Sequence, residues 1–234
     1  MMIKKHIPNA LTSLNLLCGM LGIYFVLDGK INEGAYFIFI AAFFDFLDGF
    51  VARILKVHSE IGKELDSLAD LVTFGVLPSF ILFKMIEANS ELDYLPFMAL
   101  IVGIFSAIRL AKFNVDTRQA DRFIGVPTPA NALLISTLPF TQERFPEINA
   151  ALQNPYFLVC VAFAMSFLLV SELPLIALKF KNFRFSDNIY RFLVLIIGVI
   201  CLIAFGLGGI PFVILSYILL SVAEGLMTKK IESK

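Results

Sequence analysis

Long apolar runs recur along the whole chain, and they limit the fold more than any other feature of the sequence. A helix that crosses the roughly 30 Å hydrocarbon core of a bilayer needs about 20 mostly apolar residues. About eight segments meet this requirement, at approximately 9–28, 33–55, 65–87, 94–113, 126–142, 155–177, 189–206 and 210–227. The sequence therefore predicts an all-α integral membrane protein, in which residues 1–234 form a single helical bundle of about eight transmembrane helices.

The composition agrees with a membrane chain. Of the 234 residues, 59% are hydrophobic and 16% are charged, whereas a soluble domain has about 45–50% apolar and about 25% charged residues. The formal net charge is zero, so the charge balance gives no support to a nucleic-acid partner. The three cysteines lie in separate apolar runs, and their spacing fits neither a disulfide framework nor a zinc site.

Lys and Arg residues are distributed unevenly between the loops. With the N-terminus in the cytoplasm, all 19 lie in inner segments except Lys30, Lys84 and Arg144. Cytoplasmic loops of membrane proteins are enriched in Lys and Arg. The span at 126–142 is short and contains proline, but without it the basic loops would lie on opposite faces of the membrane. We therefore keep it and predict that both termini are cytoplasmic.

The inner segment 179–191, KFKNFRFSDNIYR, alternates cations with aromatic residues. One interpretation is an interfacial segment that binds anionic lipid headgroups. The other is a connector whose long side chains extend from the membrane edge into water. The sequence leaves both interpretations open.

Four aspartates lie inside segments that are otherwise typical of membrane helices. Asp45 and Asp48 share one face of the second span, and Asp66 and Asp70 share one face of the third. The connector between these spans is short, so the two helices are antiparallel neighbours and the two pairs can face each other near the cytoplasmic edge. A charged residue inside a span is costly and usually marks a functional site.

Balancing four carboxylates requires cations, and Arg53 supplies only one. Oxygen-only ligands suit Mg²⁺, Mn²⁺ or Ca²⁺ better than zinc, which prefers His and Cys. Two metals about 3.5–4 Å apart would clamp an in-line displacement at phosphorus. We therefore predict a site for divalent metal at the four aspartates. Gly49 and Gly62 either admit a ligand at the helix crossing or serve ordinary small-residue packing.

These residues form one pattern, Asp45-x2-Asp48-Gly49-x2-Ala52-Arg53-x8-Gly62-x3-Asp66-x3-Asp70. In every element it resembles the signature of the CDP-alcohol phosphotransferase family. The resemblance implies an integral membrane enzyme that displaces CMP from a CDP-linked alcohol by the hydroxyl of a second alcohol. It also implies two Mg²⁺ or Mn²⁺ ions at the cytoplasmic edge and a homodimer.

Three further segments, SLADLVTFGVLPS, IRLAKFNV and FIGVPTPAN, look like the membrane-bound phosphatidylserine synthases within this family. The resemblance covers most of residues 1–140. It implies CDP-diacylglycerol and L-serine as substrates, in a bacterial-type cytoplasmic membrane. A common form of the second segment has Arg where this chain has Lys112, which keeps the charge but loses the bidentate fork of Arg.

The resemblance also implies roles for single residues. Asp45, Asp48 and Asp66 would bind a first metal, and Asp45, Asp66 and Asp70 a second, with Asp70 also acting as the general base. The CDP moiety would contact Asp48, Gly49, Ala52, Arg53, Ser59 and Gly62. Ser59 has the alternative interpretation of a surface hydroxyl on a loop.

The acceptor serine needs a cation for its carboxylate, and Arg binds carboxylates better than Lys does. We expect Arg109 to bind it, and further candidates for cation or polar contacts are Lys112, Asn114, Thr73, Arg118 and Arg122. The cations among them also suit the inner-face charge bias. Two alternatives stay open: another acceptor, such as glycerol-3-phosphate or inositol phosphate, and, more remotely, an ion-coupled transporter.

Overall fold

The computed structural model describes residues 2–57, 59–116, 123–176 and 188–232. Its regular structure is almost entirely helical, with α1 Met2–Leu27, α2 Ile31–Leu55, α3 Glu60–Asp70, α4 Leu77–Glu87, α5 Ile101–Val115, α6 Thr128–Ser136, α7 Leu138–Arg144, α8 Pro146–Leu152, α9 Pro155–Val170, α10 Ile189–Phe205 and α11 Ile210–Glu232. Two short strands, β1 Phe123–Ile124 and β2 Pro174–Leu175, pair antiparallel. The predicted all-α class is therefore confirmed.

Several helical segments are long and apolar enough to cross a membrane. Among the described residues they are His6–Leu27, Glu60–Glu87, Leu95–Val115 and Ile189–Met227, with a fifth if α8 and α9, bent by 81°, count as one span. These segments support an integral membrane protein and leave the predicted count of about eight spans unconfirmed. The expected span at 126–142 is divided at Thr137, and Pro139 lies in the first turn of the next helix.

α1 and α2 pack against each other as an antiparallel pair. The turn between them contains Gly29, whose φ of +83° favours glycine. A Cβ atom at Gly34 of α2 would lie 2.8 Å from the carbonyl oxygen of Gly22 on α1. Small residues at this crossing therefore allow the two backbones to approach closely. The close approach brings polar residues of α1 against the aspartates of α2.

α3 leads into α4 through a π-helical segment, Leu71–Val76, that begins directly after Asp70. Single turns of π-helix occur frequently at functional sites. Two neighbouring helices pack closely on this segment. A Cβ atom at Gly19 of α1 would lie 3.0 Å from the Cα atom of Thr73, and one at Gly75 would lie 2.8 Å from the Cβ atom of Ser106 on α5. The segment that follows Asp70 is therefore held between α1 and α5.

The hydrophobic core extends from α1 to α11 and is centred on α4. Leu77, Ile81, Leu82 and Ile86 of α4 are completely buried, as is Phe74 of the π-helical segment. Since α4 follows directly after the π-helical segment, this core holds in place the C-terminal continuation of the helix that carries the aspartates of α3.

Candidate active site

The structure brings three of the four aspartates into one cluster. Carboxylate oxygens of Asp45 and Asp48 on α2 and of Asp66 on α3 all lie within 4.8 Å of one another. Asp48 is buried, and the other two are half-buried. Asp70 lies one helical turn beyond Asp66, and its carboxyl group is near enough to that of Asp45 for the two to interact. The four side chains therefore form one connected acidic group.

This acidic group fits a hard divalent cation. Its donors are all carboxylate oxygens, and the mutual distances within 4.8 Å place three of them around one point. Like charges at this separation repel each other, and partial burial strengthens the repulsion. Oxygen-only sets of this kind suit Mg²⁺ or Mn²⁺.

α1 contributes polar side chains that the sequence analysis did not assign to the site. Thr12 donates a hydrogen bond to Oδ2 of Asp48 over 2.5 Å, and Asn15 donates one from Nδ2 to Oδ1 of Asp70 over 3.2 Å. Asn9 lies one turn before Thr12 and lines the same site. The signal was available, because polar residues at i, i+3 and i+6 inside an apolar span mark one helical face.

A cavity of about 200 Å³ opens beside the acidic cluster. Residues from α1, α2, α3 and the α2–α3 connector line it: Pro8, Asn9, Thr12, Asp48, Gly49, Ala52, Val57, Ser59, Gly62, Lys63 and Asp66. Every residue expected to contact CDP is in this set except Arg53. The Arg53 side chain is exposed, and its Nε donates a hydrogen bond to the Gly49 carbonyl oxygen over 2.9 Å.

The two signature glycines have different surroundings. Among the described residues, a Cβ atom at Gly49 would find only Arg53 Nη2, at 3.9 Å, so packing against them does not require glycine there. A Cβ atom at Gly62 would lie 2.8 Å from Oδ1 of Asn9. Gly49 therefore leaves open space at the cavity, whereas Gly62 allows α1 and α3 to approach each other.

The N-terminus of α3 faces the cavity. Ser59 is its N-cap residue and accepts a hydrogen bond from the backbone N–H of Gly62 over 3.2 Å. A hydroxyl that accepts one hydrogen bond still has its own proton to donate. Helix N-termini favour anions, because their first N–H groups have no partner within the helix and the helix dipole is positive there. With Lys63 in the cavity wall, this end of the site suits a diphosphate.

The expected acceptor residues lie on α5, and they differ in their surroundings. Arg109 is buried, with its guanidinium 5.3 Å from the centre of the Phe113 ring. The side-chain amide of Asn114 donates a hydrogen bond to the Ser67 hydroxyl over 2.9 Å, and the backbone carbonyl oxygen of Asn114 accepts one from the Lys63 ammonium group over 3.4 Å. Asn114 is thus joined through Lys63 to the cavity.

The remaining candidates do not line the cavity, or they lie outside the described residues. Lys112 is exposed. The Thr73 hydroxyl donates a hydrogen bond to the backbone oxygen of Asn15 over 3.2 Å. Arg118 and Arg122, and most of the segment 179–191, lie outside the described residues. The expectations for them stay predictions.

Comparison with known proteins agrees with the site. Residues 5–204 match the family model of CDP-alcohol phosphatidyltransferase. The chain is 37% identical over 184 residues to the CDP-diacylglycerol–serine O-phosphatidyltransferase of Bacillus subtilis, an alignment that covers 77% of this chain and 92% of the relative.

Two further relatives come from other organisms. The chain is 39% identical over 130 residues to a CDP-diacylglycerol–serine O-phosphatidyltransferase of Helicobacter pylori, over 55% of this chain and about half (54%) of the relative. It is 33% identical over 174 residues to the archaetidylserine synthase of Methanothermobacter thermautotrophicus, over 71% of this chain and 68% of the relative. The chain therefore belongs to the CDP-alcohol phosphatidyltransferase family and is a phosphatidyltransferase enzyme of the membrane.

Proposed function

We propose that this enzyme transfers the phosphatidyl group from CDP-diacylglycerol to the hydroxyl of L-serine, giving phosphatidylserine and CMP. The observation that carries the proposal is the acidic cluster beside a cavity lined by the signature residues. The choice of serine is supported by the Bacillus subtilis relative, which carries that activity in its name and aligns over 92% of its length.

The cytidine diphosphate occupies the cavity beside the cluster, with the acyl chains in the bilayer between helices. Gly49 leaves space for the ligand, and the N-terminus of α3 together with Lys63 attracts the diphosphate. We expect Arg53 to leave the Gly49 carbonyl oxygen and bind the phosphates, and Ser59 to donate its free hydroxyl proton. We place this site at the cytoplasmic face, in agreement with the charge bias of the loops.

Asp45, Asp48 and Asp66 would hold one Mg²⁺ or Mn²⁺ ion, and Asp45, Asp66 and Asp70 a second. When bound, such ions neutralise the diphosphate and stabilise the negative charge of the leaving CMP. The protein's part is to hold the four carboxylates together, and Thr12 does so for Asp48 through its hydrogen bond.

The serine hydroxyl attacks the phosphatidyl phosphorus directly. Asp70 takes the hydroxyl proton, the new oxygen–phosphorus bond forms, and the bond to the bridging oxygen breaks, so that this oxygen leaves with CMP. The signature has no Cys, Ser or His paired with a base, and a covalent enzyme intermediate is therefore not part of the proposal. A carboxylate can act as the base only when the hydroxyl is held within reach of it.

Arg109 binds the serine carboxylate in this proposal, with Asn114 and Lys112 as further acceptor contacts. Arg suits a carboxylate because its planar fork donates two parallel hydrogen bonds. The link from Asn114 to Lys63 and Ser67 supports an acceptor site next to α3. We also propose that the enzyme works as a homodimer.

The acceptor is tested by CMP release. The purified protein in detergent with Mg²⁺ and CDP-diacylglycerol is given serine, glycerol-3-phosphate, inositol or inositol phosphate in separate reactions. We expect release that depends on serine alone. Release with another acceptor and none with serine would overturn the proposed substrate. A parallel series with a CDP-linked ether lipid tests whether the enzyme also accepts a donor that is not an ester-linked diacylglycerol.

A further inference from the structure

We propose that Asn15 of α1 is a positioning residue for Asp70, which orients the carboxylate for proton transfer. The inference rests on the proposed function, in which Asp70 is the base. Asn15 is completely buried, and its Nδ2 donates to Oδ1 of Asp70 over 3.2 Å. Nothing in the signature pattern includes this asparagine, which lies 30 residues before Asp45 in the sequence.

The contact fixes the direction of both groups. An ionised carboxylate can only accept hydrogen bonds, so the amide must turn its nitrogen toward Asp70. The bond engages Oδ1 of Asp70 and leaves Oδ2 for other partners. An attacking hydroxyl must meet a carboxylate oxygen in a defined direction, and fixing the other oxygen limits rotation of the carboxylate.

The backbone of Asn15 is also held in place. Its carbonyl oxygen accepts a hydrogen bond from the Thr73 hydroxyl over 3.2 Å, and Thr73 lies in the π-helical segment directly after Asp70. The close approach of Gly19 to Thr73 secures the same contact one turn further along α1. α1 therefore contacts the chain at Asp70 and again three residues later, at Thr73. Because Asn15 is held at its backbone, its side chain can orient the Asp70 carboxylate more accurately.

The other end of the amide argues against a purely structural role. Oδ1 of Asn15 is buried, and it has no hydrogen-bond partner among the described residues. A buried acceptor without a partner destabilises the fold. Asn15→Leu removes this acceptor and buries an apolar side chain in its place, and both effects offset the loss of the hydrogen bond to Asp70. A structural role and a positioning role thus predict different effects of Asn15→Leu on thermal stability.

The test compares Asn15→Leu and Asn15→Asp with Ser13→Leu. Asp keeps the shape of Asn but lacks its donor. Ser13 is an exposed residue whose hydroxyl donates a hydrogen bond to the backbone oxygen of Asn9, within α1. We expect both Asn15 variants to lower kcat by about 10- to 100-fold, because this factor corresponds to the loss of a hydrogen bond to a charged group. The KM values for CDP-diacylglycerol and serine should stay within about twofold of wild type. Ser13→Leu should leave kcat unchanged.

Two readouts separate positioning from folding. The melting temperature of Asn15→Leu, measured without substrate, should equal or exceed that of wild type. In an Asp70→Glu background, whose carboxylate is displaced from Asn15, adding Asn15→Leu should change kcat by less than about threefold, because coupled residues are not additive.

Three results would each overturn the inference. The first is a wild-type kcat in Asn15→Leu, and the second is a lowered melting temperature or failure of this variant to fold. The third is an equally large loss of kcat when Asn15→Leu is added to Asp70→Glu. If Asp70→Asn keeps wild-type turnover, the proposed base is wrong instead. The acceptor used in these assays is whichever one supports CMP release, so an error in the proposed substrate does not affect the comparison.

Discussion

The hydroxyl of Thr12 on α1 donates a hydrogen bond to Oδ2 of Asp48 on α2, over 2.5 Å, inside the protein. The same hydroxyl lies 3.1 Å from the backbone oxygen of Pro8, one turn earlier in α1. Both side chains are buried, and Asp48 is the most buried of the four aspartates. The first helix therefore fixes a carboxylate of the acidic cluster, although the sequence pattern of the site begins only at Asp45.

Replacing Thr12 with Val keeps the side-chain shape and removes this hydrogen bond. Hydrogen bonds to charged groups contribute about 1.5–3 kcal/mol, so we expect kcat/KM to fall by about 10- to 100-fold. The Mg²⁺ concentration that gives half-maximal CMP release should rise, because Asp48 is no longer oriented. Ser13→Ala, on the exposed side of the same helix, is the control. An unchanged Mg²⁺ requirement would contradict a role of Thr12 in holding Asp48.

Gly49→Ala and Gly19→Ala should affect stability in opposite directions. Gly49 lies in a helix with open space around it, so Ala there should stabilise the fold by about 0.5–1 kcal/mol while weakening CMP binding. A Cβ atom at Gly19 would lie 2.5 Å from Oγ1 and 3.0 Å from Cα of Thr73, and such overpacking costs about 1–3 kcal/mol. Melting temperatures and calorimetric CMP binding measure both effects. Normal CMP affinity in Gly49→Ala would count against the donor cavity.

Arg109→Lys should raise the KM for serine by about 10-fold or more, because the substitution removes one charge-assisted hydrogen bond to the serine carboxylate. The KM for CDP-diacylglycerol should stay the same, because Arg109 is outside the set of residues that line the donor cavity. Initial rates at varied serine concentrations provide the measurement. Lys112→Ala is the matched comparison, since its side chain is exposed, and it should have a smaller effect. Equal effects of both variants on the two KM values would contradict the assignment of Arg109.

A chelator should abolish CMP release, and Mg²⁺ or Mn²⁺ should restore it. Binding to the folded state also raises its stability, so adding either ion should raise the melting temperature of the wild-type protein. Asp45→Asn should reduce this increase, because Asp45 belongs to the cluster whose oxygens lie within 4.8 Å of one another. CMP release that persists in EDTA, with no change in melting temperature, would exclude the metal site.

The aspartate pairs were predictable because residues three or four apart share a helical face, and a short connector forces adjacent helices together. The family followed from the same residues and is confirmed. The all-α class followed from the long apolar runs and is also confirmed, and the candidate spans support a membrane protein. The contacts of Thr12 and Asn15 were not predicted, since their partners are 36 and 55 residues away in sequence. Pairing at that distance depends on how α1 packs, and hydrophobic periodicity does not specify it.

Other features depended on local geometry that residue types do not encode. The exposed position of Arg53 reflects a hydrogen bond to its own helix at Gly49, although the resemblance implied contact with the diphosphate. The span expected at 126–142 is interrupted at Thr137, where one helix ends and the next begins. Apolar content alone does not show such an interruption.

The π-helical turn after Asp70 sets the rotational phase between the catalytic and buried halves of one long helix. A regular α-helix advances by about 100° per residue, whereas a π-helical turn, with its i→i+5 hydrogen bonds, advances by less per residue. If the same six residues of Leu71–Val76 were wound as regular α-helix, Asp66 and Asp70 would therefore turn about the helix axis relative to the buried face of α4. The span would stay as apolar as before, yet its carboxylates would point away from Asp45. The register of this single turn therefore determines whether a membrane helix of this composition has an active site at all.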